Sequence, residues 1–545
     1  MVKYIDAATM KQIDYKSINE VGIPSMVLME RASLKVAKNI IDRESLDKKI
    51  IVLSGVGNNG GDGICTARIL KEYGYKVEVH VVGNMDKCSV ETGTQISIAK
   101  NCGVCFVNQI DFNEYDIIID SIFGIGLCRD VQGSFYDIIE QANNAHKVVY
   151  SVDVPSGINT DTGAIQGIAI KAYYTITFGV NKKGLILHPG RVYAGKVIVE
   201  DIGFPKHIID ELTQNSSNVV DKKIALDNNN VVDNKHNNCF LAYNRDNYKD
   251  YLPKRKSNSN KGTYGRVLVV AGSKNMAGAC YFSAKAAYRI GAGLVQIFTC
   301  EENREILQQL IPEAIMTTYL GEKNLDSLDD LDNIDIIKKV CLKSLKESLD
   351  WATCVVVGPG LGTGDLAKAM VKYLLENCNK PMVVDADAIN IISNMNIDHF
   401  SNVILTPHLK GMSRLIKCDI DDIRKYQSNP RELYDKINGF DNDFNNNFDK
   451  KDNVLVLKDA TTLILNNEKV YVNTSGNNGL ATGGSGDVLT GIIAGLLAQG
   501  LDNIEAASLG VYLHGLAAEN YTESYNCYSL NASDLLDSLQ NIEQG

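Results

Sequence analysis

The chain has 545 residues, more than one hydrophobic core normally organises, so two domains of a few hundred residues are expected. Its 55 Lys+Arg against 66 Asp+Glu give a formal net charge of -11, which argues against a nucleic-acid scaffold or an anionic membrane surface as main partner and favours small-molecule work. Thirteen cysteines are scattered without paired zinc spacing, and the close pair Cys102 and Cys105 has no second pair to complete a four-ligand site, so reduced structural thiols are expected.

The N-terminus, MVKYIDAATMKQIDYKSINEVG, mixes charge with apolar residues and has no apolar core of signal-peptide type. The best candidate for a membrane span, VLTGIIAGLLAQGL, is too short and Gly-interrupted, so no membrane partner and a cytoplasmic location are expected. Short β-branched runs then alternate with helical segments: KIIVLS, KVEVHVVG, YDIIIDSIFG and HKVVYSVDVPSG in the first half, GRVLVVAGS, CVVVGPG, PMVVDADAINII and NVLVLKD in the second. Near-continuous apolar strands separated by helices predict a parallel sheet covered on both faces, so each half reads as an α/β, three-layer αβα domain. Between them, QNSSNVVDKKIALDNNNVVDNKHNNCF is rich in Asn, Ser and Lys; it places domains at 1–215 and 235–545 with a linker over 216–234. A second Asn/Asp-rich patch at 438–453 reads as a solvated loop insertion. In CYFSAKAAYRIGAG, Phe282, Ala286 and Ile290 recur every fourth residue, a stripe expected to lie on a sheet, with Gly291 and Gly293 ending the helix.

After the first strand comes LSGVGNNGGDG. Gly55, Gly57, Gly60, Gly61 and Gly63 let backbone N–H groups and a helix N-terminus approach an anionic ligand, although strand-to-helix turns also use glycine for steric reasons alone. Asn58, Asn59 and Asp62 add the oxygens that hard cations take as ligands. Two further strand ends carry polar residues where open α/β sheets place ligands: Asp120 in IIIDSIFGIGLCRD, and Asp153 with Ser156 around Pro155. Helix or turn capping is the alternative role for both aspartates.

Taken together, GVGNNGGDG, DSIFGIGLCRDVQG and SVDVPSGINTDTG resemble the epimerase domain of the NAD(P)H-hydrate repair enzymes over about residues 1–210. The resemblance implies a Rossmann-like domain that interconverts the R and S forms of NADHX and NADPHX, the hydrated forms of the reduced nicotinamide cofactors, with a bound K⁺. Carried over by position, Asn58, Asn59, Gly60, Gly61 and Asp62, together with Gly124, Ile125, Gly126, Leu127, Cys128, Arg129 and Asp130, would hold the dinucleotide. Asn59, Asp120 and Ser156 would offer oxygens to K⁺, and Asp153 would face the hydrated ring as acid/base.

In the second half, TSGNNGLATGGSGDVLTGIIAGLLAQG places Gly483, Gly484, Ser485, Gly486 and Asp487 at the opening of a long apolar helix, where free N–H groups suit a transferring phosphoryl group. Asp487 stands where a base takes a proton from a hydroxyl, or where an ordinary first-turn Asp stabilises its helix. Together with KGTYGRVLVVAGS, VVVGPGLG, VVDADAIN and TPH, this stretch resembles the ribokinase-like fold and, more closely, the NAD(P)H-hydrate dehydratase domain over about residues 235–545. The resemblance implies hydrate binding by Ala279, Gly360, His408 and Asp487. It also implies adenine-nucleotide binding by Lys458, Asp459, Ala460, Thr461, Thr462 and Gly486, with Mg²⁺ and with ADP as co-substrate.

Several residues depart from the family pattern: Asn260 in place of His, Asn478 in place of Pro, TPHLKGMSRL without a following Pro-Gly-Glu, and Asp459 in place of Gly. A carboxylate at 459 weakens nucleotide binding unless it points away. His514 reads as a satisfied core histidine, Trp351 as packing, and Asp385 and Asp387 either as a structural turn or as distant support for the nucleotide site. The two resemblances imply one bifunctional enzyme, a homo-oligomer, that epimerises NAD(P)HX and dehydrates the S form with release of AMP and phosphate. The rival expectation is a C-terminal kinase for a small hydroxylated vitamin precursor, with a non-catalytic nucleotide-binding N-terminal module.

Overall fold

The computed structural model describes residues 1–213, 239–320, 331–395, 401–438 and 453–542. The linker expected over 216–234 lies outside the described residues, as does nearly all of the Asn/Asp-rich patch. The chain divides into two compact units, Val2–Phe240 and Leu241–Gly545.

In the first unit, seven strands form one sheet: β1 (Lys49–Ser54), β2 (Lys76–Val81), β3 (Cys105–Phe106), β4 (Ile117–Ser121), β5 (Val148–Val152), β6 (Tyr174–Phe178) and β7 (Lys196–Glu200). Their order is β3-β2-β1-β4-β5-β6-β7, and every pairing is parallel. Successive side chains of a strand point to opposite faces, and the burial pattern follows. Ile50, Val52, Ile117 and Ile119 pack with helices α1 (Ser25–Ile41) and α2 (Asn58–Glu72) on one face. Ile51, Leu53 and Ile118 pack with Ile138 and Ile139 of α3 (Ser134–Asn144) on the other. With both faces covered by apolar packing, polar side chains collect at the carboxyl ends of the strands. The order reverses between β1 and β4, which opens a crevice there.

The second unit holds β8 (Arg266–Val270), β9 (Leu294–Cys300), β10 (Ile315–Tyr319), β11 (Cys354–Val357), β12 (Met382–Val384), β13 (Val403–Leu405), β14 (Val454–Leu457), β15 (Leu463–Leu465) and β16 (Val470–Val472). They run in the order β10-β9-β8-β11-β12-β13-β14-β15-β16, parallel up to β14 and antiparallel beyond it. Val267, Val269, Val295 and Val356 pack on one face with α4 (Ala277–Arg289), α7 (Ser485–Ala498) and α8 (Asn503–Thr522). The alternate residues Leu268, Val355 and Val357 are buried as well. Helix α5 (Leu331–Trp351) packs against β8 to β10 and against α6 (Asp365–Asn377).

One sequence expectation is corrected here. The stripe of Phe282, Ala286 and Ile290 lies against helix α7 and the loop before it rather than on the sheet. A Cβ on Gly484 would come 2.8 Å from the Phe282 ring, one on Gly491 would come 2.8 Å from Ala286 Cβ, and one on Gly495 would overlap Ile290. The periodicity identified the apolar face correctly. The glycines of α7 supply the groove that receives it, and this lets the two helices approach at backbone distance.

Among the described residues no helix is long and apolar enough to cross a membrane, and all thirteen cysteines are free thiols. The α4/α7 contact gives a stability test. A Cβ on Gly491 also overlaps the Ser283 carbonyl, which cannot move without unwinding its turn. Gly491→Val is therefore expected to cost roughly 1–3 kcal/mol in denaturant unfolding, by overpacking. Gly483→Ala, at a site with no atom within 4 Å of the new Cβ, should leave the midpoint nearly unchanged.

Candidate functional sites

In the first unit the crevice forms where the sequence places it, with one change of local structure. Helix α2 starts at Asn58, with Gly57 as its N-cap, so Asn58 to Asp62 are its first turn rather than a free loop. The glycines are there for close approach. A Cβ on Gly60 would overlap the Gly55 carbonyl, and one on Gly63 would overlap the Ser121 hydroxyl. Asn58 is exposed at the mouth, while Asn59 leans on Gly124, whose absent Cβ would sit 3.2 Å from the Asn59 amide oxygen. Gly124 to Asp130 form the facing loop. Ile125 is anchored on the core, Leu127 is half-buried, and Gly126, Cys128, Arg129 and Asp130 are exposed; the Val131 amide, donating to Gln166 O at 3.0 Å, pins the loop's far end.

Asp120, at the end of β4, is fully buried, and burial pushes its carboxyl upward. Four donors hold it: the Ser156 hydroxyl (2.5 Å), the Ser156 amide (2.8 Å), the Ser151 hydroxyl (2.8 Å) and the Ile122 amide (3.3 Å). Ser156 Oγ in turn accepts from the Phe123 amide at 2.9 Å. Asp120, Ser156 and Asn59 therefore converge on the 122–124 turn. The Asn59 amide nitrogen is buried without a hydrogen-bond partner, and rotation of this amide exchanges its nitrogen and oxygen. A set of carboxylate, hydroxyl and amide oxygens suits a hard monovalent cation.

Asp153 follows β5 with φ at 65°, a region that side chains other than glycine seldom adopt. The Val154 amide donates to Val152 O at 2.9 Å across it, which makes Asp153 the centre of a rare three-residue turn. Its side chain is held as firmly as its backbone. Asp153 Oδ1 accepts from Lys182 Nζ at 2.6 Å and from Thr177 Oγ1 at 2.9 Å. Lys182 is 1% exposed and also donates to Thr177 Oγ1 and Phe178 O. Two more carboxyls share this field. Burial, then the Asp153 charge, raises Asp14 to about 6, against the pull of Lys182. Burial, then Asp153 and Asp14, pushes the Asp62 carboxyl well up from its ordinary value. The motif reading missed Asp14 and Lys182. Neither lies in a glycine-rich stretch, and only the fold brings them to Asp153.

In the second unit the glycine stretch also runs into a helix start. Gly484, in the left-handed region at φ 85°, caps α7, so Ser485 to Asp487 form its first turn. His514 is buried and meets Ser485 Oγ through Nε2 at 3.2 Å. Burial, then the Lys458 charge, takes its imidazole down to about 4, so it is a neutral, satisfied core histidine. Asp385, at the end of β12, accepts from Lys458 Nζ at 2.9 and 3.2 Å, from Thr490 Oγ1 at 2.8 Å and from the Ala386 amide at 2.8 Å. Lys458 Nζ lies 3.6 Å from where a Cβ on Gly486 would stand, so its charge sits beside the first turn of α7. Asp387 accepts from the Gly362 amide at 2.9 Å. Both aspartates bear on Asp487. Burial first, then Asp385, raises the Asp487 carboxyl to about 7, with Lys458 opposing and Asp387 adding.

The other expected hydrate-binding residues gather at the same sheet edge. Gly360, at φ 57°, would carry its Cβ 3.0 Å from Ala279 Cβ. Ser283 Oγ bonds both Ala279 O and Asp487 O at 3.1 Å. His408 bridges to Lys458 along the chain edge. It keeps an open side, yet crowding by its loop and then the Lys458 charge push its imidazole below the ordinary range. In the turn after β14, Ala460 is exposed, Thr461 is buried, and the Thr462 carbonyl accepts from the Asn473 amide. Asp459 is tied down: Gln427 Nε2 donates to its carboxylate at 2.9 Å, turning the charge toward the helix behind it.

The family models match the two halves of the chain separately. Residues 267–541 match the family model described as NAD(P)H-hydrate dehydratase, and residues 25–184 match that described as YjeF-related protein N-terminus. A bifunctional NAD(P)H-hydrate repair enzyme of Moorella thermoacetica is 34% identical over 99% of this chain and 97% of its own length. One of Coxiella burnetii is 33% identical over 96% of this chain and 95% of its own. Among solved structures, an ADP/ATP-dependent NAD(P)H-hydrate dehydratase of Bacillus subtilis, co-crystallised with ATP and Mg²⁺, is 27% identical; it covers 55% of this chain and 97% of that one, with a TM-score of 0.45.

The Asp487 carboxyl carries a stability signature that is independent of any ligand. Its folded value of about 7 lies above the ordinary 3.8, so between those values the native state binds the extra proton. Stability therefore falls as pH rises through that window, and the penalty is complete above it. Asp487→Asn is expected to raise stability at about pH 8 by roughly 1–3 kcal/mol in denaturant unfolding, with the gain shrinking as the pH is lowered toward about 5.

Proposed function

This chain belongs to the family of bifunctional NAD(P)H-hydrate repair enzymes, and on that premise we propose that its two units act on one molecule in sequence. The first interconverts the R and S hydrates of NADH and NADPH, and the second converts the S hydrate back to the reduced cofactor at the expense of ADP. The observation that carries this reading is a pair of carboxyl groups with opposed surroundings in the first unit and a single carboxyl raised toward neutrality in the second.

The hydrated ring carries its hydroxyl on C6, beside the ring nitrogen. Inverting that centre requires a bond from C6 to be broken and remade, with one proton taken from the hydroxyl and another delivered to the departing atom. Asp153, paired with the Lys182 ammonium, is the base in this reading. Asp62, whose carboxyl burial and the neighbouring Asp153 and Asp14 push upward, is the candidate acid within the same field. The glycine-lined start of α2 and the 124–130 loop hold the dinucleotide. K⁺ at Asn59, Asp120 and Ser156 would offset the repulsion between these carboxylates and the pyrophosphate.

In the second unit Asp487 takes the proton of the C6 hydroxyl as that oxygen attacks the terminal phosphoryl group of ADP, leaving AMP. The C6–O–phosphate bond then breaks as the ring nitrogen's lone pair moves in, and loss of a C5 proton restores the dihydropyridine. The amides at the start of α7 and Lys458 face the phosphates. Mg²⁺, when bound with the nucleotide, would shield the phosphate charge, and Asp385 and Asp387, which act on Asp487, are the carboxylates that would support it. The kinase reading is not favoured, because the relatives that match are repair enzymes spanning both units.

The direct test supplies NADHX with ADP or ATP and follows recovery of the dihydronicotinamide absorbance; a stable phosphorylated product without recovery would sink the reading. Asp153→Ala is expected to slow R-hydrate consumption to the spontaneous epimerisation rate while S-hydrate dehydration continues unchanged. A base must be ionised to act, so dehydration should rise with pH through about 7 and then level. Asp385→Asn removes a charge that raises Asp487, so the acid limb of that profile should move to lower pH.

A further inference from the structure

Next to the Gly360 turn lies a cavity of 280 Å³ that none of the reacting groups occupies. It opens outside the carboxyl ends of β8, β9, β10 and β11, where the strand order reverses between β8 and β11. Ser273 and Gly362 form its inner rim. The Ser273 amide donates to Gly360 O at 2.6 Å, so this rim is continuous with the expected hydrate-binding residues Gly360 and Ala279. One wall is apolar, from Leu361 and Met370. Tyr319 lines it too, and its ring stacks on the buried Phe298 at 5.4 Å between centroids. A cavity lined by an aromatic ring and by aliphatic side chains suits a purine ring.

Glu302 decides what else enters. It stands just past the end of β9 and lines the cavity, and its Oε2 is buried without a hydrogen-bond partner. The neighbouring Cys300 thiol interacts with the same carboxyl, but a buried Oε2 left without a partner is costly, and it calls for O–H or N–H groups from a ligand. Lys274, also in the lining, is exposed at the mouth, where it faces solvent and can meet a pyrophosphate. The cavity therefore combines an adenine slot, an acceptor for a hydroxyl pair and a cation at its entrance.

We infer that this cavity holds the adenosine half of the hydrate being dehydrated, with Glu302 accepting from the ribose hydroxyls, and that Glu302 makes the second unit prefer NADHX over NADPHX. The inference rests on the dehydratase reading of that unit. NADPHX differs only by a phosphate on that ribose, which replaces a donor by a dianion facing the Glu302 carboxylate. The discrimination lies far from C6 and so falls on KM rather than kcat.

The test is kcat/KM for (S)-NADHX and (S)-NADPHX with saturating ADP, in the wild type, Glu302→Gln and Glu302→Asp. The wild type should favour NADHX by about ten-fold or more, through KM. Glu302→Gln should bring the ratio close to one while kcat for NADHX changes by less than roughly two-fold, and Glu302→Asp, which keeps the charge, should retain the preference. A wild-type preference for NADPHX, or a ratio that survives Glu302→Gln, overturns the assignment. So does a rise in the KM for ADP with the hydrate ratio unchanged, which would place the donor's own ribose in the cavity. A wild type that forms NADH from neither hydrate fails differently, because it removes the dehydratase reading itself.

Discussion

Both units are built on parallel strands whose two faces are covered by helices, and that constraint decides where everything polar can go. Side chains that alternate along β1 and β4 are apolar on either face, so a carboxylate can enter the strand only at its last residues. Asp120, Asp153 and Asp385 all stand at or just past a strand end. Asp120 and Asp385 are buried and Asp153 is half-buried, and each is met by side-chain donors: serine hydroxyls for Asp120, and a buried lysine for Asp153 and for Asp385. The sites are consequences of the layer architecture as much as of the motifs.

The two units use buried charge in different ways. Around Asp153 several carboxyls share one lysine, and the surplus negative charge falls on Asp14 and Asp62, which are driven toward their neutral forms. Around Asp487 burial first and then the Asp385 charge raise the carboxyl to about 7, while the lysine, bonded to Asp385, opposes them. The first arrangement separates an acid from a base. The second holds one group near the midpoint of its titration, where it can give and take a proton at little cost.

Departures from the family pattern find local explanations. Asp459 lies in the expected nucleotide turn, yet Gln427 accounts for its carboxylate. Asn260 caps a short helical turn, accepting from the Gly262 amide. His514, read from its apolar helix face as a core residue, is one, and it also steadies Ser485 at the start of α7. Asp385 and Asp387, which the sequence left between a structural turn and support for the nucleotide site, each bind backbone amides, and their charges raise the Asp487 carboxyl.

What the sequence by itself determined is whatever depends on neighbours along the chain: the apolar strands, the glycines that let a helix start approach a ligand, and the aspartates and serines at strand ends. Those local patterns were enough to mark the glycine turns and strand-end side chains that the fold gathers at each crevice. The tertiary structure alone decided what depends on residues far apart in sequence. Lys182 reaches Asp153 from the short segment Asn181–Lys182 beyond β6, Asp14 enters the same field from the N-terminal helix, and Glu302 lines one cavity with a turn near residue 360, a meeting that no spacing encodes. The stripe of Phe282, Ala286 and Ile290 makes the same point in packing. Its period revealed an apolar face, but only the glycines of a helix two hundred residues later show what that face is for.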